Sequence, residues 1–313
     1  MDGRRNHLLK IYITLLAVMV IWGLNVSIVK LLVEYLPPVT IQALRVMTAG
    51  FVVFLILSFM KLLRLPTKRE SVFIVGGSLL NVVGHHFFMA IGLEITTAAN
   101  GGLILGLGPL LSAFLATVIL RQVPSVLRSV GFLLGTIGIT ITVLAGEGGI
   151  AGIGVGDLYM FLAIFTQALS FIIISKIAKT LDPRLLTGYM LVIGSVILLV
   201  IGTQMEPGGF AQFDDAPGYV WAAFFISAVL ATAVGHMTYN HMIGKVGVAE
   251  TAIFLNLPTL FSLLGAAVIL GEELLPAHFI GFIFIVSGVL LGSGAAEELI
   301  RRRRRRIKTR QEG

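Results

Sequence analysis

Residues 185–204 read LLTGYMLVIGSVILLVIGTQ, a stretch of twenty residues without a charged side chain. An α-helix needs about 20 mostly apolar residues to cross the hydrocarbon core of a bilayer. Arg184 immediately precedes the stretch, and Glu206 follows shortly after it. Because cytoplasmic loops are enriched in Lys and Arg, the stretch predicts a membrane-spanning helix that begins at the cytoplasmic face.

Nine further stretches of the same kind predict an all-α polytopic membrane protein with ten transmembrane helices. Hydrophobic residues make up 57% of the chain and charged residues only 12%, against roughly 25% charged residues in soluble proteins. This composition excludes a soluble enzyme and a nucleic-acid-binding protein. The predicted spans run over about 11–33, 39–60, 71–93, 97–120, 128–145, 157–175, 185–204, 218–240, 249–270 and 277–296.

The charges predict the orientation of these spans. If the N-terminus is cytoplasmic, all of the 23 Lys and Arg residues except Lys30 and Arg45 fall in cytoplasmic segments. We therefore expect a multi-pass protein of the cell (inner or plasma) membrane with both termini in the cytoplasm. The external segments carry acidic residues instead, namely Glu94, Glu147, Glu206, Asp214, Asp215, Glu272 and Glu273.

The partners expected from the sequence are a small-molecule substrate and the lipid bilayer. The arginine run 301–306 directly follows the last span, which favours an anchor on anionic lipid over a nucleic-acid signal. The chain contains no cysteine, so disulfides and thiolate metal sites are excluded. We expect no cofactor and no metal, and a monomer or weak dimer.

An internal repeat relates residues 99–138 to residues 249–288, with Pro109 and Pro258 matching within one position. Five spans per half would orient the two halves oppositely, and inverted repeats are typical of secondary transporters. The sequence thus predicts two inverted five-helix repeats. The predicted organisation is a cytoplasmic N-terminus 1–10, a first repeat 11–146, an external linker 147–156, a second repeat 157–296 and a basic cytoplasmic tail 297–313.

Several short motifs lie at matching places in a known transporter family. They are Trp22-Gly23-x-Asn25, Arg45 in the second span, Pro258, Leu270-Gly271-Glu272 and Gly281-x6-Gly288. On these residues the chain resembles the drug/metabolite transporter (DMT) superfamily, in its EamA-like branch. The first half departs from the pattern, with Arg121-Gln122 where the family often has glutamate. The resemblance implies a ten-helix transporter with a central cavity that moves amino acids or other metabolites, often outward.

Helix-breaking residues mark the fourth and ninth spans as candidates for a binding site. Proline removes one helical hydrogen bond, and interruptions in corresponding spans of two repeats point to the substrate site of a transporter. The alternative is close helix packing through small residues with a benign kink. The candidate hinge residues are Gly106, Gly108, Pro109 and Pro258.

Polar side chains within spans are the candidates for substrate binding, because they are costly in a bilayer. Asn81 and His85 share a helix face, as do His236, Tyr239 and Asn240. His86 lies about 100° round the helix from His85, so the sequence leaves open which of the two faces the cavity. The alternative is a buried hydrogen-bonded cluster between helices. The candidates are Trp22, Asn25, Arg45, Asn81, His85, Asn100, Gln167, His236, Tyr239, Asn240 and Asn256.

Arg45 is the one candidate of this set that carries a permanent charge. Gln42 shares its helix face, and no acidic residue lies clearly at the same depth. Either Arg45 reaches the membrane interface, or it faces the cavity and meets a substrate carboxylate. Lys30 is expected to form a surface pair with Glu34, four residues on.

The sequence thus predicts a secondary transporter, and not an enzyme, that moves a small polar metabolite by alternating access through a central cavity. Amino acids or related carboxylates are favoured because the candidate lining is polar and cationic, and export is the favoured direction. One alternative is efflux of hydrophobic cations, although no carboxylate occupies the middle of a span. A remote alternative is a non-transporting membrane scaffold or enzyme.

Overall fold

The computed structural model describes residues 2–119, 123–144, 154–177, 180–246, 254–255, 257–292, 294 and 297, and these contain helices but no β-strand. Eight helices are long and apolar enough to cross a bilayer, and two shorter apolar helices follow them. The all-helical, multi-pass membrane architecture predicted from the sequence is therefore confirmed. The shorter helices have 13 and 17 residues, so the prediction of ten spans stays a prediction.

We number the helices α1 to α10 along the chain. They are α1 (Asp2–Tyr35), α2 (Pro38–Phe59), α3 (Lys68–Ile95), α4 (Ala98–Ile119), α5 (Val126–Leu144), α6 (Val155–Ile177), α7 (Pro183–Met205), α8 (from Gly218 to Val246), α9 (Leu257–Ile269) and α10 (Pro276–Gly292). The helix α1 already begins at Asp2, whereas the sequence predicted a separate N-terminal segment 1–10. The linker up to residue 153 and the tail from residue 298 lie outside the described residues.

Prolines and capping side chains set several helix ends. The helix α1 stops before Pro37 and Pro38, since proline disfavours helical geometry in the preceding residue. Pro183 occupies the first turn of α7, where its missing N–H costs nothing, and Asp182 accepts a hydrogen bond from the Arg184 N–H. Thr67 and Glu70 form a capping box at the start of α3.

The lipid-facing character of the bundle is clear on α2. Phe51, Leu55 and Phe59 are 60%, 57% and 80% exposed and lie on one helix face at intervals of four residues. Water would make such an apolar stripe unfavourable, and a bilayer makes it favourable. Leu57, on the inward side, is fully buried in the core between α2 and α7.

The helices of the first half pair with those of the second. The helix α5 packs along α10, α2 along α7, and α4 along α9. In addition, α1 packs against α8 and α9, while α6 packs against α3 and α4. The first helix of each half therefore has equivalent neighbours: α8 and α9 beside α1 correspond to α3 and α4 beside α6 when helix numbers are shifted by five.

Two carboxylates join the halves at one end of the bundle, which we call the capped end (residues 35–38, 94–98, 206–217 and 270–276). Glu206 accepts hydrogen bonds from the N–H groups of Val39 and Thr40, both at 2.8 Å. Glu272 accepts from the N–H groups of Ala98 and Ala99 at 2.6 and 3.0 Å. Each carboxylate of the second half thus satisfies free backbone donors at the start of α2 or α4.

The other end of the bundle, which we call the opposite end (residues 60–67, 123–125 and 180–182), is rich in arginine contacts. Arg64 forms two hydrogen bonds with Glu70, at 2.9 and 2.8 Å, and donates to the carbonyl of Thr180. Hydrogen bonding to Arg184 lowers the pKa of the Asp182 carboxyl below its usual value. Arg128 pairs with Glu297 at 3.1 Å.

Candidate substrate site

Two π-helical segments place the candidate site residues in the two halves. In α3 the segment runs over Ser78–Gly84 and ends immediately before His85. In α8 it runs over Ile226–Val234 and ends immediately before Gly235 and His236. A π-helical stretch leaves backbone groups out of the usual pattern and is frequent at functional sites. The corresponding pairs Gly84-His85 and Gly235-His236 therefore both lie at the end of a π-helical segment.

Trp22 of α1 packs against the end of the π-helical segment in α8. Its Nε1–H donates to the carbonyl of Ala231 at 2.8 Å. Its ring centroid lies 4.9 Å from that of His236 and 5.2 Å from that of Tyr239. A Cβ atom on Gly235 would lie 2.6 Å from Trp22 Nε1, so only glycine allows this approach. Three of the predicted residues thus form one half-buried aromatic cluster.

Arg45 occupies the centre of a second cluster, between α2, α3 and α8. Its guanidinium donates to Ser227 Oγ at 3.1 Å and to Thr232 Oγ1 at 2.7 Å. It also donates to Gln42 Oε1. The side chain is 1% exposed, and none of the described residues pairs a carboxylate with it. Arg45 thus lies inside the helix bundle, and its contact with a substrate carboxylate stays a prediction.

Asn25 joins this cluster from α1, because Ser227 Oγ donates to its Oδ1 at 2.5 Å. Gln42 Nε2 is buried and has no hydrogen-bond partner within the described part of the chain. An unpaired amide in a buried site is costly. The cluster therefore offers an unused donor beside an unneutralised cation.

The two neighbouring histidines point in different directions. The Arg45 guanidinium donates to His86 Nδ1 at 3.2 Å, so that nitrogen carries no proton. His85 Nδ1 instead donates to the carbonyl of Ala163 in α6 at 3.0 Å. His86 is thus the histidine that faces the Arg45 cluster, although the sequence interpretation placed His85 in the candidate set.

Asn81 of α3 is linked to α6 through Ser170, which in turn bonds the backbone of Gln167. Asn81 Nδ2 donates to Ser170 Oγ at 2.8 Å, and Ser170 donates to the carbonyl of Gln167 at 2.6 Å. This contact is a hydrogen-bonded link between helices. It gives Asn81 a packing role, and its part in substrate binding stays a prediction.

Asn100 lies apart from both clusters, at the capped end. Its side chain bonds Asp157 of α6 and His278 of α10. Asn256 and the side chain of Asn240 lie outside the described residues, so the structure gives them no position.

The helix α4 is interrupted at the predicted place. The α-helix gives way to a turn at Gly106 and Leu107, where the Leu107 N–H bonds the carbonyl of Ile104, three residues back and not four. A Cβ atom on Gly106 would lie 2.4 Å from Thr259 Oγ1 of α9. Close packing against α9 and a break in α4 therefore coincide. Pro109 and Pro258 begin the two helical stretches that follow.

Sequence reasoning missed two polar residues that the structure brings to Arg45, namely Ser227 and Thr232. It noted Gln42 and His86 but did not include them among the candidates. Ser and Thr are common in membrane helices because they can bond their own backbone, so their presence carried little signal. Within the described residues, no group of three His, Cys, Asp or Glu side chains is placed to hold a metal ion.

Comparison with known proteins places the chain among transporters. The model of the EamA-like transporter family matches twice, over residues 9–144 and 154–294. The chain is 29% identical to the uncharacterized transporter YyaM of Bacillus subtilis, over 91% of this chain and 94% of YyaM. It is 23% identical to a WAT1-related chloroplastic protein of Arabidopsis thaliana, over 83% of this chain and 64% of that protein.

A solved crystal structure has the same fold, with a TM-score of 0.62 and 20% identity over 92% of this chain and 96% of the other. The two matches of the family model together cover most of the sequence. The chain therefore belongs to the EamA-like transporter family.

Proposed function

We propose that the protein is a secondary transporter that exports amino acids or related carboxylates by alternating access through a central cavity. The observation that carries the substrate class is the buried Arg45, whose bonding partners among the described residues are all uncharged. A buried charge without a counter-charge is unfavourable, and a bound carboxylate would supply one. The free donor of Gln42 lies on the same helix face and would add a hydrogen bond.

The remaining predicted residues have complementary roles in this proposal. The aromatic cluster of Trp22, His236 and Tyr239 forms an apolar wall, and Asn25 connects that wall to the arginine cluster. Asn81, His85, Gln167, Asn240 and Asn256 extend the lining, and the break in α4 supplies a hinge. Asn100 acts at the capped end.

The two halves act as inverted five-helix repeats in this proposal, with the boundaries predicted from the sequence. The exchange of helix neighbours on shifting their numbers by five supports it, as do the two successive family matches. Inverted repeats provide inward-open and outward-open states of nearly equal energy. The capped end is external, and both termini are cytoplasmic with the basic tail on anionic lipid. The protein acts as a monomer or weak dimer.

A thermal-shift screen of the purified, detergent-solubilised protein tests the substrate class. The ligands are amino acids, other carboxylates and, as matched controls, the corresponding amides, such as leucine with leucinamide. A ligand at 100 times its Kd stabilises the folded state by about 2.7 kcal/mol. We expect carboxylates to raise the melting temperature and their amides to have no effect.

Two variants connect a positive result to the site. Arg45→Lys keeps the charge but loses the planar set of donors, so it should weaken carboxylate binding about tenfold or more. Arg184→Lys, at the opposite end, should bind as the parent does. Stabilisation by lipophilic cations alone would refute the carboxylate proposal and favour drug efflux.

A further inference from the structure

A chain of hydrogen bonds at the capped end joins α4, α6 and α10. It begins at the backbone N–H of Leu275, which donates to His278 Nδ1 at 3.1 Å. The His278 ring therefore carries its proton on Nε2, which donates to Asn100 Oδ1 at 3.1 Å. The orientation of the Asn100 amide follows from this, because its oxygen must face the histidine.

Asp157 is the last acceptor in this series of hydrogen bonds. Asn100 Nδ2 lies 3.5 Å from Asp157 Oδ2, and Thr96 Oγ1 donates to Asp157 Oδ1 at 2.5 Å. Every bond of the chain runs in one direction, from a backbone donor to a carboxylate that is 7% exposed.

No cation neutralises this carboxylate within the described residues. Lys30 of α1 is bound to Glu34 and to the carbonyl of Glu94. Glu272, in the loop before α10, accepts from the start of α4.

The other elements around Asp157 and His278 add few charged groups. The helix α4 has none within its described residues, and the charged residue of α5, Arg128, lies at the opposite end with Glu297. At the end of α3 stands Glu94, whose side chain is exposed, and Glu273 is the other acidic residue of the loop before α10.

We propose that Asp157 is a proton-binding site, and that proton uptake there weakens the attachment of α4 to α6 at the capped end. A proton on Oδ2 would face the Asn100 N–H, and a proton on Oδ1 would face the Thr96 hydroxyl. In the first case a donor meets a donor, whereas in the second the Thr96 hydroxyl must turn round to accept the new proton. In both cases the bonds lose the carboxylate charge that strengthened them. Asn100 cannot turn its amide to compensate, because His278 Nε2–H also requires its oxygen.

This site makes the proton the coupling ion of the carrier, a role that rests on the proposed transport function. Proton binding would favour the state in which the capped end is open, because it weakens contacts that exist only in the closed state. Release of the proton would restore the chain of hydrogen bonds and close the capped end again. The binding site itself does not depend on which solute is transported.

Cysteine accessibility measures this weakening without any substrate, and the natural chain contains no cysteine. Ala99→Cys places a thiol at a fully buried position at the start of α4. Its rate of labelling by a small maleimide is measured in detergent from pH 8 to pH 5. Phe210→Cys, at a position that is 51% exposed at the same end, corrects for the pH dependence of thiol reactivity.

We expect the corrected labelling rate to rise about tenfold as the pH falls, since a charge-assisted hydrogen bond is lost. Asp157→Asn cannot titrate and should label rapidly at every pH. Glu94→Gln removes an exposed carboxylate at the same end and should keep the parental response. A flat pH profile in the parent, or an unchanged response in Asp157→Asn, would overturn the proposal.

A second variant covers the case in which Asp157→Asn does not fold. Thr96→Val removes the hydroxyl that stabilises the charged carboxylate, so the midpoint of the labelling curve should move to higher pH by about one unit. An unmoved midpoint would also overturn the proposal. Because no solute is present, these results are independent of the carboxylate-binding screen.

Discussion

Arg45 is the largest fully buried side chain among the described residues, and its surroundings determine what the site can bind. Four uncharged side chains accept from four of its five N–H groups without cancelling its charge. A guanidinium in this state favours an anion that can enter and leave. A fixed carboxylate from the protein would neutralise Arg45 better, but it would remove the preference of the site for an anionic substrate.

The variant Gln42→Glu tests whether Arg45 binds a substrate anion or only needs a fixed counter-charge. The new carboxylate keeps an oxygen at the place where Gln42 accepts from Arg45, and it neutralises the guanidinium. We expect binding of the carboxylates found in the screen to weaken at least about tenfold, because their counter-charge is already supplied. The melting temperature should stay the same or rise. Isothermal titration with a screen hit checks the affinity, and undiminished binding would contradict an anion site at Arg45.

At the scale of helices, the pairing of α5 with α10 rests on glycine. A Cβ atom on Gly288 would lie 2.5 Å from the backbone nitrogen of Gly135. Gly138 approaches α10 equally closely, with its Cβ position 2.8 Å from the nitrogen of Ile285. Helices in a bilayer associate through such small residues, since lipid provides no hydrophobic drive between them.

Gly288→Ala should therefore destabilise the protein by about 1–3 kcal/mol, because the backbone of α5 must move away. Gly76→Ala is the matched control. Its Cβ would meet only Ile173 Cδ1, at 3.7 Å, and alanine is the better helix former by up to about 1 kcal/mol. Thermal unfolding monitored by tryptophan fluorescence compares the two. Equal melting temperatures would mean that α5 and α10 can separate at little cost.

A helix end allows a second test at this scale. Asp182→Ala removes the side-chain cap of α7 and should cost about 1 kcal/mol near neutral pH. The pKa of Asp182 is lowered in the folded state, so its contribution exists above the ordinary pKa of aspartate and is lost as the pH falls through the lowered one. The difference in melting temperature between parent and variant should accordingly vanish in acid. A difference that persists at low pH would mean that the cap does not act through its charge.

For the whole molecule, the parts that could be predicted from sequence are those with a local cause. Span length and hydropathy are properties of single stretches, and they predicted the helices well. The π-helical segments have no comparable signature, and they change which side of α3 faces inward. That is why periodicity could not decide between His85 and His86. The contacts of Glu206, Glu272 and Asp157 depend on residues between 57 and 174 positions away, which spacing within one helix cannot reveal.

The proposed orientation of the molecule rests on the distribution of charge, and the cysteine-free chain makes it testable. Phe210→Cys is exposed at the capped end, and Val123→Cys is 94% exposed at the opposite end. The positive-inside rule puts the arginine-rich opposite end in the cytoplasm. A membrane-impermeant maleimide should label Phe210→Cys in intact cells, and Val123→Cys only after the membrane is permeabilised. The reverse pattern would place the Asp157 site on the cytoplasmic side, so that proton uptake would open the carrier inward and not outward.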